Sequence, residues 1–361
     1  MKRSVGTLMK KKRTYRWFLV LTIFLILNGL LMGTAAAREI FDMAGRKVSI
    51  PDRISKVYVP SPYGSYLIYS IDPLLLATFK VPSDQQAQKY LSKTVLDLPK
   101  MSRPQSGQKP DFSPVLAQHP DFVLMWTTDK SHADPEKGRF AEVLKQLNLP
   151  VVYVVAASLA SYPDIYDFLG GVLGRQQRCR QLGQYCRQAL QDAEKIVSRI
   201  PAEQRPSVYY AEGSDGLQTE CDDSIHVEIF KLLGDNNVHR CHTSNHRGFE
   251  AVSFDQVAAY DPDLIIAQDA GFYERVASSA DKNWQQLKAV GDGRFHYIPK
   301  EPFNWFDRPP SFMRILSLKW LLSVMYPEQY PGDFAQEARE FYHLFLGVDL
   351  TPEEIRQVMK Q

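Results

Sequence analysis

Residues 165–200 read IYDFLGGVLGRQQRCRQLGQYCRQALQDAEKIVSRI. Apolar residues fall at helical spacing from Ile165 to Leu173, stop at Gly174, and resume from Cys179 through Leu182, Cys186 and Ala189 to Ile200, just before Pro201. From Arg175 onward this predicts about 39 Å of helix at 1.5 Å per residue, enough to run the length of a lobe. Short apolar runs of the buried parallel-strand type lie on both sides of it. Residues 57–59, 74–79, 122–126 and 151–155 precede it, and 208–210, 264–267 and 295–298 follow. Helical patterns alternate with them, at 66–70 and 226–233 among others. The expected fold is α/β: two three-layer lobes with central parallel sheets, joined by a long rigid connecting helix. The N-terminal lobe is expected over 38–160, the connecting helices over 161–201 and the C-terminal lobe over 202–361.

Working outward, the 361-residue chain begins with an export-type segment. Lys2, Arg3, Lys10, Lys11, Lys12, Arg13 and Arg16 precede an apolar run of about fifteen residues, Trp17 to Leu31, and then Ala35-Ala36-Ala37. A membrane span needs about 20 apolar residues, so a cleaved signal over 1–37, cut near Ala37, is expected rather than a retained anchor. The mature chain is then periplasmic. The net charge of +2 includes the seven cations of that segment, and the remainder is near −5. A basic surface for nucleic acid is therefore not expected.

Export puts the four cysteines in an oxidising compartment. Cys179 and Cys186, seven residues apart on one helix, lie about 10 Å apart along its axis, beyond the roughly 7 Å a disulfide spans. They read as buried thiols. Cys221 and Cys241 flank a polar stretch and can bridge or stay free.

Catalytic signatures are sparse. The chain has neither a phosphate-cradling Gly-x-x-x-x-Gly-Lys-Ser/Thr loop nor a Gly-x-Ser-x-Gly elbow. His226-Val227-Glu228 matches half of a zinc-deaminase signature, but no Pro-Cys-x-x-Cys follows. Asp222, Asp223 and Ser224 before it suit a helix cap. His239, His242 and His246, with Cys241 among them, are the densest group of soft ligands and suit zinc or nickel. With Glu228 they define one alternative, an exported metal-dependent enzyme.

Several segments together resemble the helical-backbone periplasmic binding proteins of ABC importers, which capture iron–siderophore, haem and cobalamin complexes. They are Asp42-Met43-Ala44-Gly45-Arg46-Lys47-Val48, His119-Pro120-Asp121-Phe122-Val123-Leu124, Asp261-Pro262-Asp263-Leu264-Ile265-Ile266, Trp284 to Val290 with Gly293 to Tyr297, and Arg308-Pro309-Pro310-Ser311 before a helix. The resemblance spans residues 40 to about 350. It implies a monomeric receptor, not an enzyme and without a cofactor, that hands its ligand to an inner-membrane ABC permease. In that family an acid on each lobe meets permease arginines. Asp255 matches on the C-terminal lobe. Ser113 stands at the N-terminal position, with Asp111 beside it as a substitute.

A pocket between the lobes is expected, lined by loops that follow strands. Tyr63, Trp126, His226, Trp305 and Arg308 are its candidate ligand residues. The tyrosine and tryptophans offer flat faces, and Arg308, just before a helix, offers a fork suited to oxyanions. The expected ligand is a metal complex, first a ferric siderophore. A small oxyanion such as molybdate or tungstate, or a nickel chelate, is the alternative. Cobalamin fits less well because its ring needs a wide apolar mouth.

Overall fold

The computed structural model describes residues 36–360, apart from 81, 83–84, 100–110, 139, 235 and 244–247. The signal segment expected over 1–37 thus lies outside the described residues up to position 35. Among the described residues, no helix is long and apolar enough to cross a membrane.

Chain reversal at Gly174 divides the connecting region into two helices, Tyr162–Leu173 and Gln176–Val197. Gly174 has φ +65°, a left-handed conformation that costs glycine little and ends the first helix. The second helix has 22 residues, about 33 Å. Its apolar stripe buries Cys179, Leu182, Cys186 and Ala189. Both cysteines are free buried thiols, as their spacing requires. Small residues let the two helices approach closely. A Cβ on Gly170 would stand 2.9 Å from Cys179 Cβ and 3.3 Å from the Gln176 Cα. Gly170→Val is expected to destabilise the fold by about 1–3 kcal/mol through overpacking, measurable by urea denaturation.

An antiparallel hairpin, β1 (Ala37–Phe41) and β2 (Lys47–Pro51), opens the described chain. The first lobe then builds a parallel sheet in the order β3 (Val57–Tyr58), β4 (Phe122–Thr127), β5 (Val151–Val155). All five residues of β5 are buried, as in a sheet covered on both faces. The strand expected over 74–79 is instead a 3₁₀ turn, Pro73–Leu75, followed by one parallel bridge between Val57 and Leu76. Pro73 lacks an N–H, and the Asp72 carboxylate accepts from the Leu74 N–H at 3.0 Å, which turns the chain before a ladder forms. The helix expected from Tyr66 starts earlier and runs Pro62–Ile71, with proline in its first turn.

The second lobe carries β6 (Val208–Ala211), the short antiparallel pair β7 (Gln218–Thr219) and β8 (Glu250–Ala251), β9 (Leu264–Ala267) and β10 (Phe295–Tyr297). Its parallel sheet has the order β10-β9-β6. The expected helix over 226–233 begins as a 3₁₀ turn, Ile225–Val227, and continues as Glu228–Leu232. Ser224 caps it, its hydroxyl accepting from the His226 N–H at 3.2 Å.

One apolar cluster runs through Leu124 and Val152 of the first sheet, Leu169 and Leu182 of the connecting helices, and Val208 and Leu264 of the second sheet. Tyr66 of the first lobe also stacks on Phe303 of the second, with ring centroids 3.8 Å apart. Two lobes joined through shared packing of this density move little against each other.

Candidate functional site

A cavity of ≈ 480 Å³ opens between the lobes. Tyr63 in the helix after β3, Trp126 and Thr128 at the end of β4, and Ser158 after β5 line one side. His226, Glu228, Asp307 and Arg314 line the other. The aromatic wall is continuous: Trp126 lies 6.2 Å from Tyr63 and 6.2 Å from Tyr162 between ring centroids. His132 and Lys137 add basic groups to the first-lobe side.

The chemistry concentrates at the start of the last long helix, Met313–Met325. Arg314, in its first turn, is 7% exposed. Its Nη2 donates to Glu228 Oε2 at 3.1 Å, and Glu228 Oε1 accepts from the Leu159 N–H at 2.8 Å. Glu228 therefore ties the cation to the first-lobe side of the cavity and fixes its direction. The Arg314 Nε remains buried without a protein partner, and so does the Tyr162 Oη. Burial pushes the Tyr162 phenol well above its ordinary pKa of 10, so it stays a donor. Two buried donors lacking acceptors are costly unless a ligand or water supplies them.

His226 hydrogen-bonds through Nδ1 to the buried Asp307 carboxylate. Burial lowers the imidazole pKa, but the Asp307 hydrogen bond and charge outweigh it and hold it above 6.5. Asp307 is positioned in turn by its N–H, which donates to Asn304 Oδ1 at 3.1 Å.

The structure thus brings Tyr63, Trp126 and His226 together, while Trp305 and Arg308 do not line this cavity. Trp305 is fully buried, with its Nε1 donating to the Glu301 carbonyl at 3.0 Å. Arg308 donates from Nε to Glu212 at 2.8 Å and from Nη2 to Glu220, and lies over the Phe249 ring. Both glutamates have fully buried side chains, so their demand for a cation outweighs what a solvated ligand would offer Arg308. The residues missed from sequence are Arg314 and Tyr162. A signal existed: Arg314 stands in the largely apolar MRILSLKWLLSVM, where a buried cation calls for a partner.

Cys221 and Cys241 form a disulfide, Cα to Cα 4.9 Å. Of the three histidines of the alternative metal group, His239 Nδ1 sits 2.9 Å from Tyr260 Oη, exposed His242 pairs with Asp223, and His246 lies outside the described residues. Asp111 and Asp255 are both exposed. Asp111 accepts from the Ser113 N–H at 2.9 Å, and Asp255 lies in the first turn of helix Phe254–Tyr260.

Burial raises Glu212 to about 7, against the lowering effect of Arg308. The folded state therefore keeps a proton that the unfolded chain releases near pH 4.5, and stability is expected to fall as pH rises through that window. The raised His226 pKa acts in the same direction, its contribution being lost above 6.5. Denaturation of Glu212→Gln from pH 4.5 to 7.5 should show a flatter profile than wild type; an equal slope would remove Glu212 as its source.

A family model described as periplasmic binding protein matches residues 80–302, more than half of the chain. An ABC transporter solute-binding protein from Sulfurospirillum deleyianum DSM 6946 is 35% identical, superimposes with a TM-score of 0.78, and is covered over 99% of its length by 90% of this chain. The molybdate-binding protein MolA of Haemophilus influenzae is 22% identical over 92% of this chain and 97% of its own. A periplasmic solute-binding protein from Veillonella parvula DSM 2008, 20% identical with a TM-score of 0.73, shares the fold over 90% of this chain and 97% of its own. The resemblance stated from sequence, the two-lobed fold with its helical connection and these matches agree: the chain belongs to the periplasmic binding proteins of ABC transporters, in their helical-backbone class.

Proposed function

We propose that this protein captures a small anionic metal species between its lobes and delivers it to a permease. The reading rests on one observation above the rest: Arg314 and Tyr162, each with a buried donor that lacks a protein partner, both line one interlobe cavity. Arg314 lines the cavity with its direction fixed by Glu228, which presents a guanidinium charge to an anionic oxygen there. Tyr63 and Trp126 supply flat apolar faces for the organic shell of a chelate. A cavity of ≈ 480 Å³ is in the size range of sites that enclose an organic ligand, which favours an anionic ferric chelate such as a catecholate siderophore. The second reading is a bare oxyanion, supported by the printed name of the H. influenzae relative, a molybdate-binding protein.

Capture makes and breaks no covalent bond. The chain acts by binding, a small closure and release, after export directed by residues 1–37. Asp255 and Asp111, both exposed at helix starts, then meet arginines of the permease, one from each lobe.

Fluorescence titration of the mature protein tests the ligand. Trp126 lines the cavity, whereas Trp284, Trp305 and Trp320 are buried elsewhere in the fold. Saturable quenching by a ferric catecholate, and not by a cationic ferric hydroxamate, is the expected result. Response to molybdate alone transfers the site to the oxyanion reading. Saturation by the cationic complex alone overturns the anionic reading altogether.

A further inference from the structure

Beside the ligand cavity's own residues, the second lobe holds a group that the transport role does not use. Potential ligand atoms of Cys221, His239 and Cys241 all lie within 4.8 Å of one another. A tetrahedral zinc ion, with Zn–S of about 2.3 Å and Zn–N of about 2.0 Å, places its ligand atoms roughly 3.3–3.8 Å apart, inside that spread. We propose that, once its disulfide is reduced, this group is a zinc-class metal site with two thiolates, one imidazole and an open fourth position.

Two observations support it. The two segments are held side by side by bonds that do not involve sulfur. The Asp222 N–H donates to the His239 carbonyl at 3.0 Å, the Cys241 N–H to Asp222 Oδ1 at 3.0 Å, and Asn237 Nδ2 to the Glu220 carbonyl at 2.8 Å. Opening the S–S bond therefore leaves the ligand-bearing backbone in place. Next, His239 Nδ1 rests 2.9 Å from Tyr260 Oη, the kind of outer partner that orients a ligating imidazole. Two cysteines and one histidine are a donor set that zinc accepts with a water in the fourth position.

The chemistry balances with a dithiol as co-reactant. Its thiolate attacks one sulfur of the disulfide to give a mixed disulfide, and its second thiol displaces the protein sulfur. The protein gains two electrons and two protons, and the dithiol leaves as its own disulfide. Zinc then binds both sulfurs as thiolates, and two protons pass to solvent. The device would make metal retention on this lobe depend on the thiol–disulfide state, independently of what the interlobe cavity carries.

The test uses the whole mature protein, reduced with dithiothreitol, desalted without oxygen and titrated with cobalt(II). One equivalent should bind with a thiolate-to-cobalt absorption band, and zinc should displace it. The untreated disulfide form and Cys221→Ser should show no such band, and His239→Ala should bind at least tenfold more weakly. Absence of stoichiometric uptake by reduced protein overturns the proposal, as does equal uptake by the disulfide form. Should reduction unfold the lobe, zinc added before the reductant should preserve the native near-ultraviolet circular dichroism; its collapse with zinc present also overturns the site.

Discussion

Arg308→Ala is expected to cost about 3–5 kcal/mol of folding stability, the largest effect of any single substitution considered for this protein. The change removes the cation between two glutamates whose side chains are fully buried, Glu212 and Glu220. It leaves uncompensated charge in the core and removes the guanidinium from the face of Phe249, 3.8 Å away. Part of the loss should return at low pH, where Glu212, already raised to about 7 by burial, takes up a proton. Urea denaturation at pH 5 and pH 8 measures both statements. Unchanged stability at both pH values, with ligand affinity abolished, would move Arg308 from the core into the binding site.

Arg314→Ala is expected to weaken capture of an anionic ligand by about tenfold to a hundredfold, since hydrogen bonds to charged groups contribute about 1.5–3 kcal/mol. Arg314→Lys should recover only part of this, because lysine keeps the charge but cannot hold Glu228 and the ligand with one planar fork. Isothermal titration of both variants with the ligand identified by fluorescence decides the matter. Equal affinity in all three proteins, with the fold intact, would take Arg314 out of the site. Tyr162→Phe is the companion change: it removes the second unpartnered donor while the ring remains against Trp126.

Most of the architecture was legible in sequence because it rests on local pattern. Helical spacing with a stop at Gly174 placed the connecting region, and uniformly apolar runs at 122–126, 151–155, 208–210 and 264–267 placed the sheet strands. The run at 74–79 misled because its apolar residues enter the core from a turn, where Asp72 and Pro73 take over the hydrogen bonding. Tyr63, Trp126 and His226, expected at the pocket because they stand at or after strand ends or at a helix start, do meet at one cavity.

Arg308 and Arg314 show where sequence stops. Both are arginines near one helix start, six residues apart. What separates them is which distant acids the fold delivers: Glu212 and Glu220 to Arg308, using up its fork, and Glu228 to Arg314, leaving Nε unpartnered at the cavity. The sequence by itself determined the class of fold, the family and the order of the lobes, since periodicity and motif order are properties of neighbouring residues. Only the tertiary structure decided which cation faces the ligand, which tryptophan reports on it and whether Cys221 and Cys241 bridge. The choice between the two arginines depends on burial and on partners 80 to 100 positions away in the chain, where desolvation rather than residue type sets the energy.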